Sequence, residues 1–136
     1  MKCMTAKIIY QGNLRTSMTH IYSGTEVLSD APLDNQGLAQ AFSPTDMIAA
    51  SLGSCMLTVM GIKARAIELD LKGNEIEITK VMASEPRRIS EIQATIKFPK
   101  NNFTEKDKIV LENSARTCPV AKSLHPNIKQ EIKFEW

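Results

Sequence analysis

The pattern of apolar and polar positions divides the chain into short strand-like runs on both sides of one long apolar stretch. Residues 5–29 contain three short runs typical of strands, with a turn at Ser23–Gly24 between the second and third. Residues 74–98 contain two further runs, and the second alternates regularly between apolar and polar side chains. A last alternating run over residues 128–136 predicts a final strand.

The long apolar stretch, residues 47–62, contains no charged residue and is apolar or small on every face. Ser43 as the N-cap, Pro44 at the first helical position and Asp46 in the first turn mark a helix start. The pattern therefore predicts a helix over residues 43–69. A helix that is apolar on all sides is typical of a protein core. Its fully apolar part is shorter than the roughly 20 residues of a membrane span, so we expect no membrane contact.

Two shorter helices are predicted over residues 104–125. Thr104, followed three residues later by Asp107, resembles a capping box, and Pro119 suits the first turn of a second helix. Strands and helices are segregated along the chain, which predicts an α+β fold with antiparallel sheets packed around the long helix. One small sheet cannot cover an apolar helix on all sides, so we expect a homodimer.

Length, charge and cysteine usage narrow the class of protein. A chain of 136 residues fits a single domain over residues 1–136. The net charge is +2 and no basic run occurs, so nucleic acid is not an expected partner. The N-terminus lacks the apolar stretch of a signal peptide, and three irregularly spaced cysteines do not form a secreted disulfide framework. We therefore expect a cytoplasmic protein with reduced cysteines.

The cysteines are the strongest candidates for chemistry, although neither is decisive alone. Cys55 lies within the apolar helix, where a buried structural role is the commoner one. Cys118 precedes a proline at a helix start, where free N–H groups and the helix dipole favour a thiolate. Arg116 and Lys122 would add positive potential there. Cys3 lies near the terminus and is assigned no role.

Other candidate groups are isolated. His20 and His125 form no close ligand pair with a cysteine, so a surface or capping role is expected and no metal site is predicted. Arg15 lies in an otherwise neutral strand. Single arginines in strands are mostly solvated, because an arginine is seldom buried without a partner.

Two segments together resemble a known family. Residues 42–55, from the Ser-Pro helix start to Cys55, resemble the helix that carries the first cysteine of the OsmC/Ohr family. Residues 116–120, Arg-Thr-Cys-Pro-Val, resemble that family's second cysteine motif. The order, separation and flanking residues agree, and the predicted elements match over nearly the whole chain. The resemblance implies an OsmC-like fold, in an intertwined homodimer with two sites at its interface.

The resemblance also implies a function. Cys55 matches the peroxidatic cysteine and Cys118 the resolving one, which implies a peroxidase that reduces organic hydroperoxides, with hydrogen peroxide as a further substrate. The cycle would pass through a sulfenic acid and a Cys55–Cys118 disulfide. An external dithiol, such as a lipoylated protein, would reduce that disulfide, and no metal, flavin or haem is implied.

The resemblance also implies a residue that ionises Cys55. Arg15 is the match to the family's activating arginine. The family has a glutamate at the helix start that holds this arginine, where this chain has Thr45. Asp46 follows, but it points about 100° further around the helix. This departure leaves one alternative open, a redox-sensing or ligand-binding protein with little turnover. A separate alternative is a small α+β hydrolase, such as a thioesterase, built around the central helix, whose activity would not need the cysteines.

Overall fold

The structure is a computed structural model that describes residues 2–136, and it confirms an α+β fold with two three-stranded sheets. Two compact units are present, one up to Met47 (the N-terminal unit) and one over Ile48–Trp136 (the C-terminal unit). The elements are β1 (Ala6–Gly12), β2 (Arg15–His20), β3 (Glu26–Asp30), α1 (Pro44–Ala66), β4 (Glu75–Ala83), β5 (Arg88–Lys97), α2 (Glu105–Ala115), α3 (Pro119–Ser123) and β6 (Lys129–Glu135).

The sheet of the N-terminal unit is fully antiparallel, in the order β1-β2-β3. Asn13 and Leu14 join the first two strands, and both have positive φ, as a tight type I′ hairpin turn requires. The register between β2 and β3 pairs Arg15 with Asp30. The third strand thus continues to Asp30 and brings a carboxylate opposite the arginine.

The sheet of the C-terminal unit corrects one expectation. Strands β4 and β5 pair antiparallel, but β5 and β6 pair parallel, from Glu91↔Lys129 to Lys97↔Glu135. The prediction of purely antiparallel sheets is therefore wrong for this pair. The reason lies in the connection, because parallel strands require a crossover and the chain between them contains two helices, α2 and α3.

Helix α1 begins where the sequence predicts. The hydroxyl of Ser43 accepts a hydrogen bond from the backbone N–H of Asp46 at 3.0 Å, and the Asp46 carboxylate accepts one from the Ser43 N–H at 3.0 Å. This reciprocal pair is a capping box. The helix ends at Ala66 rather than at Leu69, because Glu68 adopts a left-handed backbone with φ 60° that stops it.

The length and exposure of α1 bear on the expectation of a helix that is covered on all sides. At 23 residues it is long and apolar enough, by length and composition alone, to cross a membrane, and core helices of soluble proteins meet the same test. Within the single chain, Leu52, Met56 and Met60 are fully buried. Ile48 and Ile62 are exposed, so one chain does not cover the helix on every side.

Gly53 lets α1 approach its own sheet closely. A Cβ atom at Gly53 would lie 3.1 Å from side-chain atoms of Ile76 and Ile78 on β4. Such distances are shorter than ordinary van der Waals contact, so a larger residue would push the helix away from the strand. The glycine therefore sets the depth at which the following turn, with Cys55, is seated.

Candidate functional site

The C-terminal unit brings two cysteines together. Cys55 lies on α1 and is half-buried, whereas Cys118 immediately precedes α3 and is fully buried. Both are free thiols, and the Cys118 side chain lies close enough to Cys55 for the two thiols to interact. The sequence could not show whether these distant residues approach each other. The structure shows that they do, and an adjacent pair of free thiols can be oxidised to a disulfide.

Three side-chain contacts hold Cys118 in this place. The Ser114 hydroxyl on α2 donates to the backbone carbonyl of Val59 on α1, at 3.3 Å, one turn beyond Cys55. The Cys118 sulfur caps α3 and accepts from the backbone N–H of Ala121 at 3.5 Å. The Gln130 side-chain amide of β6 donates to the carbonyl of Ala121 at 3.1 Å. Contacts with α1 and β6 thus hold the segment that carries Cys118.

The environment of Cys118 favours the neutral thiol. Burial raises its pKa above the usual 9.0, and the hydrogen bond to Cys55 and the Cys55 charge raise the pKa further, against a smaller lowering by the Ala121 N–H. The expectation of a thiolate at Cys118 is therefore wrong. Of the two cations expected nearby, Arg116 packs over the Phe134 ring at 5.4 Å. At neutral pH the Cys118 thiol therefore remains protonated.

Arg15 belongs to a separate polar cluster in the N-terminal unit. Its Nη2 donates to the Asp30 carboxylate at 3.4 Å and also to the side-chain carbonyl of Gln40. The same carboxylate oxygen accepts the backbone N–H of Gln40 at 2.9 Å. Arg15 also lines an open cleft of about 470 Å³ together with Leu14 and Leu38.

The carboxyl group of Asp30 is ionised at neutral pH. The Gln40 N–H lowers its pKa below the usual 3.8, and Arg15 lowers it further, while burial acts in the opposite direction. Because the pKa in the folded protein is depressed, the resulting stabilisation is present at neutral pH. It is lost only as the pH falls below 3.8 through the folded-state pKa.

Sequence reasoning missed Asp30 and Gln40 as partners of Arg15. The register of the predicted hairpin is a sequence signal for Asp30. If His20 pairs with Thr25 across the turn, the same antiparallel register pairs Arg15 with Asp30. The predicted third strand lies within residues 5–29, so the predicted pairing does not extend to Asp30. No sequence signal pointed to Gln40, which follows an irregular loop.

The remaining candidate residues take part in a helix cap or a turn, or lie at the surface. Asp46 belongs to the capping box of α1, and the Thr45 hydroxyl lies 3.2 Å from that of Ser43. The His20 ring is hydrogen-bonded to Ser23 at 2.7 Å, which is a turn role. Cys3 is exposed. Within residues 2–136, no group of three or more His, Cys, Asp or Glu side chains could hold a metal ion.

The fold and the adjoining thiols define an α+β protein with a paired-cysteine site. The chain belongs to the OsmC-like protein family, whose model matches residues 36–133. It is similar to a crystal structure of a Psychrobacter arcticus protein named for an osmotic stress induced and detoxification response. That similarity amounts to 50% identity and a TM-score of 0.94, over 99% of this chain and 98% of the other. No curated protein matches the chain.

Two more distant structures show the same fold. An organic hydroperoxide resistance protein OsmC from Legionella pneumophila is 14% identical, with a TM-score of 0.72 over 96% of this chain and 95% of the other. The organic hydroperoxide resistance protein OhrB of Bacillus subtilis is 16% identical, with a TM-score of 0.67 over 97% and 98%. Identities this low establish the shared fold alone.

Proposed function

We propose that this protein is a thiol-dependent peroxidase that reduces organic hydroperoxides, with Cys55 as the attacking thiol and Cys118 as the resolving thiol. One observation carries the proposal: the buried Cys118 thiol lies close enough to the half-buried Cys55 to interact with it. Support also comes from the family, in which structural relatives are named for organic hydroperoxide resistance. The more accessible Cys55 sulfur would react with the peroxide, and the buried Cys118 sulfur would then react with the oxidised Cys55.

The proposed chemistry balances without a bound cofactor. The Cys55 thiolate attacks one peroxide oxygen, an S–O bond forms and the O–O bond breaks. The departing alkoxide takes a proton from solvent, which balances the proton that Cys55 released on ionising, and leaves as the alcohol. The Cys118 sulfur then attacks the sulfenic acid, so that an S–S bond forms and the S–O bond breaks. The Cys118 proton leaves with the departing hydroxide as water. An external dithiol reduces the disulfide by thiol–disulfide exchange, for which a reducing cytoplasm and a lipoylated protein are the proposed setting and partner.

In this proposal Arg15 is the cation that stabilises the Cys55 thiolate, since a guanidinium lowers the free energy of a nearby thiolate. Asp46 and Thr45 are assigned a supporting role at the start of α1. The Asp46 carboxylate is already engaged by the Ser43 N–H.

A steady-state assay tests the proposed function. We expect the protein to couple cumene hydroperoxide to oxidation of a dithiol such as dihydrolipoamide, faster than it couples hydrogen peroxide. The Cys55→Ser variant should fall to the uncatalysed rate, because serine cannot form the sulfenic acid. Peroxide-dependent dithiol oxidation no faster than in Cys55→Ser would rule the proposal out. A single oxidation to the disulfide that no dithiol reverses would favour the redox-sensing alternative.

We also propose that the protein forms a homodimer. Ile8, Ile9 and Tyr10 on β1 are more than half exposed in the N-terminal unit, and α1 exposes Ile48 and Ile62 in the C-terminal unit. Apolar faces of this kind are typical of protein interfaces. Size-exclusion chromatography with light scattering should give twice the 15.1 kDa mass of one chain. A single-chain mass at micromolar concentration would contradict the dimer.

A further inference from the structure

Trp136, which directly follows β6, is held in place by groups from three other parts of the C-terminal unit. Its ring stacks on the Phe98 ring with centroids 3.8 Å apart, and the Phe103 ring meets it edge-on at 6.1 Å. Its indole N–H donates to Glu112 Oε1 on α2 at 2.9 Å. A buried or half-buried indole N–H usually finds such an acceptor. The tryptophan is therefore a fixed contact between the end of β6 and α2.

Three residues of α2 contact aromatic side chains at the end of β6, and they lie four positions apart: Lys108, Glu112 and the C-cap residue Arg116. Residues at this spacing lie on one face of a helix. The Lys108 ammonium lies 5.9 Å from the centroid of the Trp136 ring, and the Arg116 guanidinium lies 5.4 Å from that of Phe134. Both distances are within the range of a cation–π contact. With the Glu112 hydrogen bond, these contacts hold α2 against β6 from its first turn to its end.

The opposite side of α2 packs towards α1. Ser114 lies two positions after Glu112, which is about 200° around a helix. Its hydroxyl donates to the Val59 carbonyl of α1 at 3.3 Å. Leu111 and Ala115 of α2 are fully buried. Helix α2 is therefore held between the helix that carries the attacking thiol and the aromatic residues at the end of β6.

The link from α2 to Cys118 is short and is bonded back to the helix. It consists of Arg116 and Thr117. The N–H and the hydroxyl of Thr117 both donate to the Ser114 carbonyl, at 3.0 and 2.7 Å. The Cys118 N–H donates to the Ala115 carbonyl at 3.3 Å. A displacement of the end of α2 is therefore transmitted to the Cys118 sulfur.

We propose that Trp136 is a positioning residue that, through α2, keeps the Cys118 sulfur where it forms the disulfide with Cys55. This inference rests on the proposed function, which makes Cys118 the resolving thiol. A disulfide requires a narrow range of distances and dihedral angles between its two residues. Displacement of a reacting group by about 1 Å can cost as much as 100-fold. The effect of Trp136 therefore belongs to the closing of the disulfide.

Two variants break the contact between Trp136 and α2 from its two sides. Trp136→Ala removes the ring and its N–H, and Glu112→Ala removes the acceptor while alanine preserves the helix. Trp136→Phe loses the N–H donor but keeps a ring that can stack on Phe98, so it should restore part of the loss. Glu105→Ala is the matched control, because Glu105 lies in the first turn of the same helix and pairs with Lys108 at the surface.

The measurement is the equilibrium of the Cys55–Cys118 disulfide in glutathione buffers at pH 7, in a Cys3→Ser background. Oxidised glutathione takes two electrons and two protons from the two thiols, so one disulfide and two reduced glutathione molecules form. Acid quenching, alkylation and mass spectrometry give the oxidised fraction. The equilibrium compares two folded forms, so a loss of folding stability that is equal in both forms cancels. Circular dichroism checks that each variant is folded.

We expect Trp136→Ala to lower the equilibrium constant for disulfide formation about tenfold, because the Cys118 sulfur is displaced from its place beside Cys55. That factor corresponds to a reduction potential about 30 mV less negative. Glu112→Ala and Trp136→Phe should each lower the constant about threefold, the size of one net hydrogen bond. Glu105→Ala should stay within about 1.5-fold of its parent, because an exposed ion pair contributes little.

A constant for Trp136→Ala that equals that of the parent would overturn the inference, and so would an equal loss in Glu105→Ala. If Trp136→Ala does not fold, Glu112→Ala decides, and a loss no greater than that of Glu105→Ala overturns the inference. Because the buffer contains no peroxide, this experiment is independent of the peroxidase assay. A protein that reduces no peroxide but shows the expected loss would contradict the peroxidase and support the positioning role. A working peroxidase whose disulfide equilibrium is unchanged in Trp136→Ala would do the reverse.

Discussion

Replacing Cys118 by serine should stop repeated turnover while sparing the first oxidation of Cys55. Serine is nearly the same size, and its hydroxyl can still contact Cys55 and accept from the Ala121 N–H. Without a second sulfur, however, the sulfenic acid cannot become a disulfide. We expect steady-state reduction of cumene hydroperoxide to fall by at least roughly 100-fold, the scale expected when a member of a covalent mechanism is lost.

Stopped-flow and mass spectrometry would separate the two phases in Cys118→Ser. The single-turnover rate should remain close to that of the unchanged protein. Excess peroxide should carry Cys55 on to sulfinic acid, because no neighbouring thiol captures the sulfenic acid. Cys3→Ser is the control, since Cys3 is a free but exposed cysteine outside the pair, and it should turn over normally. Undiminished steady-state turnover in Cys118→Ser would remove Cys118 from the mechanism.

Gly37→Ala should damage the N-terminal unit through the loop that supports Gln40. A Cβ atom at Gly37 would overlap the backbone carbonyl of Ala31, and a rigid backbone group cannot move aside cheaply. The loop is folded tightly there, since the Gly37 N–H donates to the Pro32 carbonyl at 2.9 Å. We expect a loss of about 3 kcal/mol in the free energy of unfolding, at the upper end of the range for overpacking.

For a chain of this size, that loss corresponds to a fall of about 10 °C in Tm. Thermal unfolding followed by circular dichroism measures it directly. Peroxide reduction should fall as well, since Gln40 holds both Asp30 and Arg15. Gly61→Ala is the matched control, because a Cβ at Gly61 meets no atom within 4 Å, and a helical alanine should be neutral or mildly stabilising. Equal Tm values for the two variants would contradict the steric argument.

The sequence predicted the elements whose signals are local. The start of α1 could be predicted from Ser43 and Asp46, because a capping box joins two residues that are three positions apart in the sequence. The capping box of α2, at Thr104 and Asp107, is confirmed for the same reason. The family resemblance predicted that the two cysteines share a site, and the structure places Cys55 and Cys118 near each other.

Features that depend on long-range packing could not be predicted. The parallel pairing of β6 with β5 depends on which way the chain crosses the sheet, and residue patterns leave that direction open. The raised pKa of Cys118 depends on burial by elements far away in sequence, which outweighs the local helix start. The polar cluster that holds Arg15 depends on strand register and on an irregular loop, so the sequence contains a signal for Asp30 and none for Gln40.

The parallel pairing of β6 has a consequence for the order in which the site assembles as the chain is synthesised. Strand β5 keeps an unpaired edge until residues from Lys129 onward can join it, since its partner follows both helices of the crossover. Gln130 of that late strand also anchors the helix capped by Cys118. On a growing chain, Cys55 is therefore synthesised long before Gln130 can hold the helix that Cys118 caps. We expect the nascent protein to pass through an interval in which its attacking thiol has no resolving thiol beside it.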